Sequence, residues 1–222
     1  MQQITFENQT IVTPFGFETD AGGFENEGVK VRRWTRDEYY KMAELGFFDG
    51  KRVELIEGEI IEMSPMNKPH AMGIRRVLAI LRKIFLVGYV IDSQLPMSFS
   101  KINEPEPDVA VIKGELDDFE KSHPKTAELI IEVSDSTLRL DRTKKAALYA
   151  QNKIQDYWIL NLKDCCLEVY RQPKKDKKLG FIYTENRIFM ESNDVSPLAE
   201  TDANIKDADL PTSKLTKPGV GF

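Results

Sequence analysis

Two apolar runs, Asp108-Val109-Ala110-Val111-Ile112 and Glu128-Leu129-Ile130-Ile131-Glu132-Val133, decide how this chain is read. Both are strand-like by length and character. Each carries a carboxylate near one end: Asp108 directly follows Pro107, and Glu132 stands just before Val133-Ser134. A carboxylate inside or bordering so apolar a run is costly to bury unless it is paired, hydrogen-bonded or bound to a cation. Two of them, on segments separated by one loop, ask for a shared explanation. A jointly held divalent metal supplies one.

Outward from these runs, the chain alternates helical and strand-like segments. Thr35 is an N-cap with Glu38 in capping-box position, opening a helix from Arg36 to Leu45 that stops at Gly46. Arg52–Ile56 and Glu59–Met63, joined by Glu57-Gly58, read as a tight hairpin. From Pro69 to about Val87 the apolar residues Met72, Ile74, Val77, Leu78, Ile80, Leu81, Ile84 and Phe85 recur at helical spacing. Strands are expected at Tyr89–Ile91, Leu95–Ser100, Asp156–Leu160 and Cys166–Tyr170, with shorter ones near Gly180–Tyr183 and Arg187–Met190. A helix is expected from about Leu138 to Ala150. The sum is a single α/β domain, a mixed β-sheet flanked by helices, over residues 35–190. Residues 1–34 read as an N-terminal arm and residues 191–222 as a C-terminal extension.

The 222 residues suffice for one domain with a real core. The net charge of −5 looks unsuited to a nucleic-acid partner, yet its distribution changes that reading. Residues 1–29 hold five acids and no Lys or Arg, and residues 191–222 hold six acids and three lysines. The intervening stretch holds 28 basic and 25 acidic side chains, so a mildly basic core lies between acidic ends. No apolar stretch reaches membrane-span length, and no basic-then-apolar leader opens the chain, so a cytoplasmic protein without a membrane partner is expected. The only two cysteines, Cys165 and Cys166, are adjacent, which argues against a disulfide framework and a thiolate zinc site. A Gly-rich phosphate loop, a nucleophile elbow and a zinc-spaced His pair are all missing from the sequence.

The chemistry that fits is metal-assisted phosphodiester hydrolysis. A hard divalent cation takes oxygen ligands, polarises the phosphate and lowers the pKa of a bound water. Asp108 and Glu132 supply carboxylates, and Glu54 on the first hairpin strand is a further candidate. A lysine stabilises developing charge in such sites. Two residues beyond Glu132, on the same strand face, stands Ser134 rather than lysine. Asp141, Lys145 and Tyr149, at i, i+4 and i+8 on the next helix, offer a replacement ammonium from a different backbone position. His70, opening the long helix, is placed to touch phosphate or a site carboxylate.

These residues also carry a family resemblance. Glu54-Leu55-Ile56-Glu57-Gly58-Glu59, Ser64-Pro65 with His70, Pro107-Asp108, Ile131-Glu132-Val133-Ser134, Asp141-Arg142 with Lys145 and Leu148-Tyr149, and Asp156-Tyr157-Trp158-Ile159 resemble the bacterial Uma-two family of restriction endonucleases. The resemblance spans roughly residues 35–172, in the family's order. It implies the restriction-endonuclease-like fold of the PD-(D/E)XK nuclease superfamily, Mg2+ (or Mn2+) dependence, a nucleic-acid substrate, DNA ahead of RNA, and a homodimer. By the same carry-over Glu54, Asp108 and Glu132 match the acidic positions, as metal ligands, and Lys145 matches the helix lysine that stands in for the lost strand lysine. Set against this, Asp108 is also a turn-capping residue by type, and Glu132 is explicable as half of a structural ion pair with Arg139 or Lys145. An inactive binding module on the same fold and a hydrolase of small phosphoesters are the rival functions.

Overall fold

The structure, a computed structural model, describes residues 30–190, 194–203 and 205–206. The chain divides into two units, Met1–Arg32 and Arg33–Phe222. Of the first, residues 30–32 are described, irregular and exposed. Of the arm expected over residues 1–34, residues 1–29 lie outside the described residues. Arg33 and Trp34 belong to the second unit, where the Trp34 N–H donates to the Gly58 carbonyl at 2.8 Å. Every regular element among the described residues lies in the second unit. In order these are α1 (Arg36–Glu44), β1 (Val53–Ile56), β2 (Glu59–Glu62), α2 (Lys68–Ile84), β3 (Tyr89–Asp92), β4 (Val109–Lys113), a 3-10 turn (Leu116–Phe119) and β5 (Leu129–Ser134). A crossover follows, made of α3 (Leu138–Leu140), a π-helical turn (Asp141–Lys145) and α4 (Ala146–Gln151). Then come β6 (Asp156–Asn161), β7 (Cys166–Asp176), β8 (Gly180–Phe189), β9 (Asp194–Val195) and β10 (Ile205–Lys206).

Six strands form one sheet in the order β3-β4-β5-β6-β7-β8. Every pair is antiparallel except β5 with β6, whose parallel pairing requires the helical crossover between them. The two-residue period of β4 and β5 divides their side chains cleanly. Val109, Val111, Leu129, Ile131 and Val133 pack with Ile74, Val77 and Leu81 of α2. Ala110, Ile112 and Ile130 join Tyr157 and Ile159 against Ala146 and Tyr149 of the crossover. Full burial of such a side chain contributes roughly 1.5–3 kcal/mol, so both layers stabilise the sheet substantially. Helix α2 approaches closely because residue 73 is glycine: a Cβ there would lie 2.7 Å from Val133 Cγ1.

The β1–β2 hairpin forms its own small sheet, turning through Glu57 and Gly58, both at positive φ. Its inner residues Val53 and Leu55 pack with Tyr39 of α1, and Tyr39 Oη donates to the Val53 carbonyl at 2.9 Å. Thr35 and Glu38 form the expected capping box at the start of α1. Leu55 also exchanges backbone hydrogen bonds with Glu104, tying the hairpin to the segment that leads into β4. This docking carries Glu54 to the main sheet.

Three expected elements differ from the structure. Leu95–Ser100 is not a strand: among the described residues it retains only an isolated bridge, Ser100 with Asn103. Pro96 in this segment, and Pro105 and Pro107 in the facing one, have no N–H to give a ladder. The two short strands expected near Gly180 and Arg187 are one continuous β8, held in register by a β7 that runs on to Asp176. The boundary drawn at residue 190 leaves out Val195 and Ile205, which are buried in the α2-side core. Arg171 and Asp156 fasten this segment, through the Ser196 carbonyl at 2.6 Å and the Leu198 N–H at 2.8 Å.

Candidate active site

The β4–β5 register, which sets Val109 against Ile131, brings Asp108 opposite Glu132 at one end of the sheet. The Asp108 N–H approaches Glu132 Oε2 at 3.4 Å, and the Val133 N–H donates to Asp108 Oδ2 at 2.9 Å. His70 Nε2 and Gln94 Nε2 donate to Asp108 Oδ1 at 3.0 and 3.2 Å. Helix α2 can deliver His70 because Asn67 caps it, accepting from the His70 N–H at 2.9 Å, and so starts the helix beside β4.

From the crossover, Lys145 Nζ donates to Glu132 Oε1 at 3.0 Å, and Tyr149 Oη donates to the same oxygen at 2.6 Å. Glu54 closes the group from the hairpin, its Oε1 and Oε2 lying 3.2 and 3.1 Å from Nζ. The second contact is ionic only, since Glu54 Oε2 is buried and accepts no hydrogen bond among the described residues. Asp141, one turn before Lys145, accepts from the Ser134 hydroxyl and from Thr137 Oγ1. Ser134 thus engages a helix carboxylate from the strand position at which the lysine is missing. The lysine arrives from the π-helical turn, and a π bulge is frequently found where a helix is adapted to function.

All four sequence-selected residues, Glu54, Asp108, Glu132 and Lys145, are therefore brought together and buried. The ion-pair partner of Glu132 is Lys145. Asp141, Tyr149 and Gln94 belong to the same network. The spacing of Asp141 and Tyr149 about Lys145 points to the first two, but no sequence signal marks Gln94, which arrives from an irregular loop at positive φ.

Four carboxylates face one ammonium in this cluster, so its electrostatics are one-sided. Burial works against the charged form of Lys145, but Glu132, Glu54, Asp141 and Asp108 outweigh it and hold the ammonium well above its ordinary pKa. Burial first, then Asp108, Asp141 and Glu54, push Glu132 up, and Lys145 offsets only part of this. Burial also raises Asp141. Asp108 moves the other way: burial opposes its charge, yet His70, Lys145 and the Val133 N–H bring it below the usual range. Surplus negative charge on hard oxygen donors, with one carboxylate oxygen left unbonded, fits a divalent cation. Among the described residues no three His, Cys, Asp or Glu side chains already form a metal cage. The fit therefore rests on the Asp108–Glu132 pair and the charge around it. The cavity, reaching from Arg52 and Ser64 to Ser136 and Thr137, measures about 40 Å³, room for an ion and a few waters.

A mixed sheet with one parallel crossover pair, and clustered acids and lysine at the end of its central strands, defines a protein of the restriction-endonuclease-like class. The family model Uma2, described as "Putative restriction endonuclease", matches residues 36–202, and the chain belongs to this family. A crystal structure described as that of a putative nuclease belonging to DUF820, from Anabaena variabilis ATCC 29413, is similar at TM-score 0.64 and 17% identity. The match covers 82% of this chain and 98% of that one. No curated protein matches. Among the described residues, no helix is long and apolar enough to cross a membrane.

Proposed function

We propose that this protein is a divalent-metal-dependent endonuclease that hydrolyses phosphodiester bonds of DNA. The observation that carries the reading is the pairing of Asp108 and Glu132 across β4 and β5 with the Lys145 ammonium 3.0 Å from Glu132. Family membership and the similar nuclease structure support it. Asp108 and Glu132 would hold Mg2+ or Mn2+, and Glu54, expected as a third ligand, contributes chiefly through its contacts with Lys145. The ion, when bound, supplies a polarised phosphate and an acidified water.

The chain's own residues do the rest. His70, Gln94 and the Val133 N–H fix the Asp108 carboxylate from three directions. Tyr149 pins Glu132 Oε1 and so limits its rotation. Lys145, kept protonated by the surrounding acids, presents N–H donors to the charge that develops on a phosphate oxygen. A homodimer, implied by the resemblance, belongs to the same proposal, and equilibrium sedimentation should then give twice 25.4 kDa.

The test is cleavage of supercoiled, linear and single-stranded DNA with Mg2+ or Mn2+, wild type beside Asp108→Ala. Cutting that needs metal and falls by about 10²-fold or more in the variant is the expected result. Equal cutting by both proteins would rule out this site. No cutting, together with no metal binding by calorimetry, would favour the rival binding module.

A further inference from the structure

Helix α2 carries Lys68, Arg75, Arg76, Arg82 and Lys83 and not one carboxylate over its 17 residues. Lys68, Arg75, Arg82 and Lys83 are exposed, and Arg76 is half-buried. Among the described residues, none of the five forms an ion pair or side-chain hydrogen bond. Other cations of the domain are neutralised within it: Arg33 and Lys144 by Glu59, Lys51 by Glu62, Arg142 by Glu168 and Arg171 by Asp156. Lys68, Arg75 and Arg82 recur every seven residues, hence on one face, as a stripe about 21 Å long at 1.5 Å per residue. Nothing among the described residues answers this charge, and a second copy presenting the same acid-free face would be repelled.

The stripe starts at the candidate site. Asn67 caps α2 and His70, one turn in, touches Asp108. The other basic patch, Lys174, Lys175, Lys177 and Lys178 around the β7–β8 turn, lies elsewhere. Glu132 aligns with Ile159 and that residue with Glu168, and from there β7 runs eight residues away to Asp176, about 26 Å along the strand. Lys175 is also engaged locally, over the Phe181 ring.

We propose that the exposed face of α2 is the track for the phosphate backbone of duplex DNA flanking the bond to be cut. The inference rests on the nuclease reading above. At 3.4 Å per base pair, 21 Å of stripe spans about six base pairs outward from the site. Contacts of this kind position the duplex and carry no sequence information themselves.

The test measures anisotropy of a fluorescein-labelled 24-base-pair duplex across a salt series, in the full-length Asp108→Ala chain so that the probe stays whole. Removing one lysine or arginine that neutralises a phosphate should flatten the slope of log Kobs against log salt by about one. The combined Lys68→Glu, Arg75→Glu, Arg82→Glu protein should therefore show a slope flatter by about three and bind at least 10-fold more weakly at 100 mM salt. Because all three positions are exposed, its circular dichroism should match the parent. Lys174→Glu, Lys175→Glu, Lys178→Glu should leave the slope unchanged. A flattened slope in the hairpin protein with none in the α2 protein would overturn the assignment while plasmid cutting by wild type kept the nuclease reading intact. A wild-type chain that neither cuts plasmid nor binds the duplex would remove that reading first, and this surface with it.

Discussion

The two helical layers on the sheet bury different things. Helix α2 puts hydrocarbon against Val109, Val111, Ile131 and Val133, and sends its charges outward, unpaired among the described residues. The crossover puts Tyr149 and Ala146 against the opposite face but also drives Asp141 and Lys145 inward, where they are 1% exposed. The first layer serves stability with an ordinary amphipathic helix. The second places an ammonium among four carboxylates, an arrangement a fold optimised only for stability would avoid. Burying paired charge is weak support for folding, so the expense of this layer points to function.

That contrast breaks most readily at Lys145. Lys145→Ala leaves Glu132 and Glu54 buried without a counter-charge and should cost about 3–5 kcal/mol, besides abolishing cleavage. Urea denaturation monitored by circular dichroism reads the cost; a midpoint unchanged from wild type would show that the ammonium does not hold the cluster. On the α2 side the comparable strain is steric. Gly73→Ala sets a methyl against Val133, adjacent to Glu132, and should cost about 1–3 kcal/mol despite alanine's better helix propensity. A thermal scan showing stabilisation would mean that α2 shifts freely over β5.

A smaller effect of opposite sign is expected at Glu132. Burial and three like charges disfavour its carboxylate, so Glu132→Gln should raise the metal-free melting temperature while cleavage is lost. A gain of roughly 1 kcal/mol corresponds to about 2–4 °C for a chain of this size. A lower melting temperature would show that the Lys145 and Tyr149 bonds outweigh the repulsion. Smallest of all, Arg75→Ala on the exposed face of α2 should stay within about 0.5 kcal/mol of wild type in the same scan. A larger loss would mean that this charge has an internal partner.

Much of this is legible in the residues. The period of α2, the capping box at Thr35, the Glu57-Gly58 hairpin and the runs behind β4, β5 and β6 all appear where pattern and turn chemistry put them, because each is fixed by neighbours a few positions away. Glu54, Asp108, Glu132 and Lys145 stand out by chemistry and by family resemblance, and they converge in space. The Leu95–Ser100 segment misleads because its apolar residues suggest a strand while prolines in it and opposite it deny the ladder. The burial of Val195 and Ile205 is hidden by the polar sequence around them.

The sequence by itself determined the α/β layering, the carboxylates available for chemistry and the missing strand lysine, since all of these follow from residue type and local period. Only the tertiary structure decided that Lys145 reaches Glu132 and Glu54, that His70 and Gln94 hold Asp108, and that the basic stripe of α2 begins at the site while the β7–β8 hairpin points away. Those outcomes depend on strand register and on the direction in which each element leaves the sheet. Both are set by long-range packing, which no window of sequence contains.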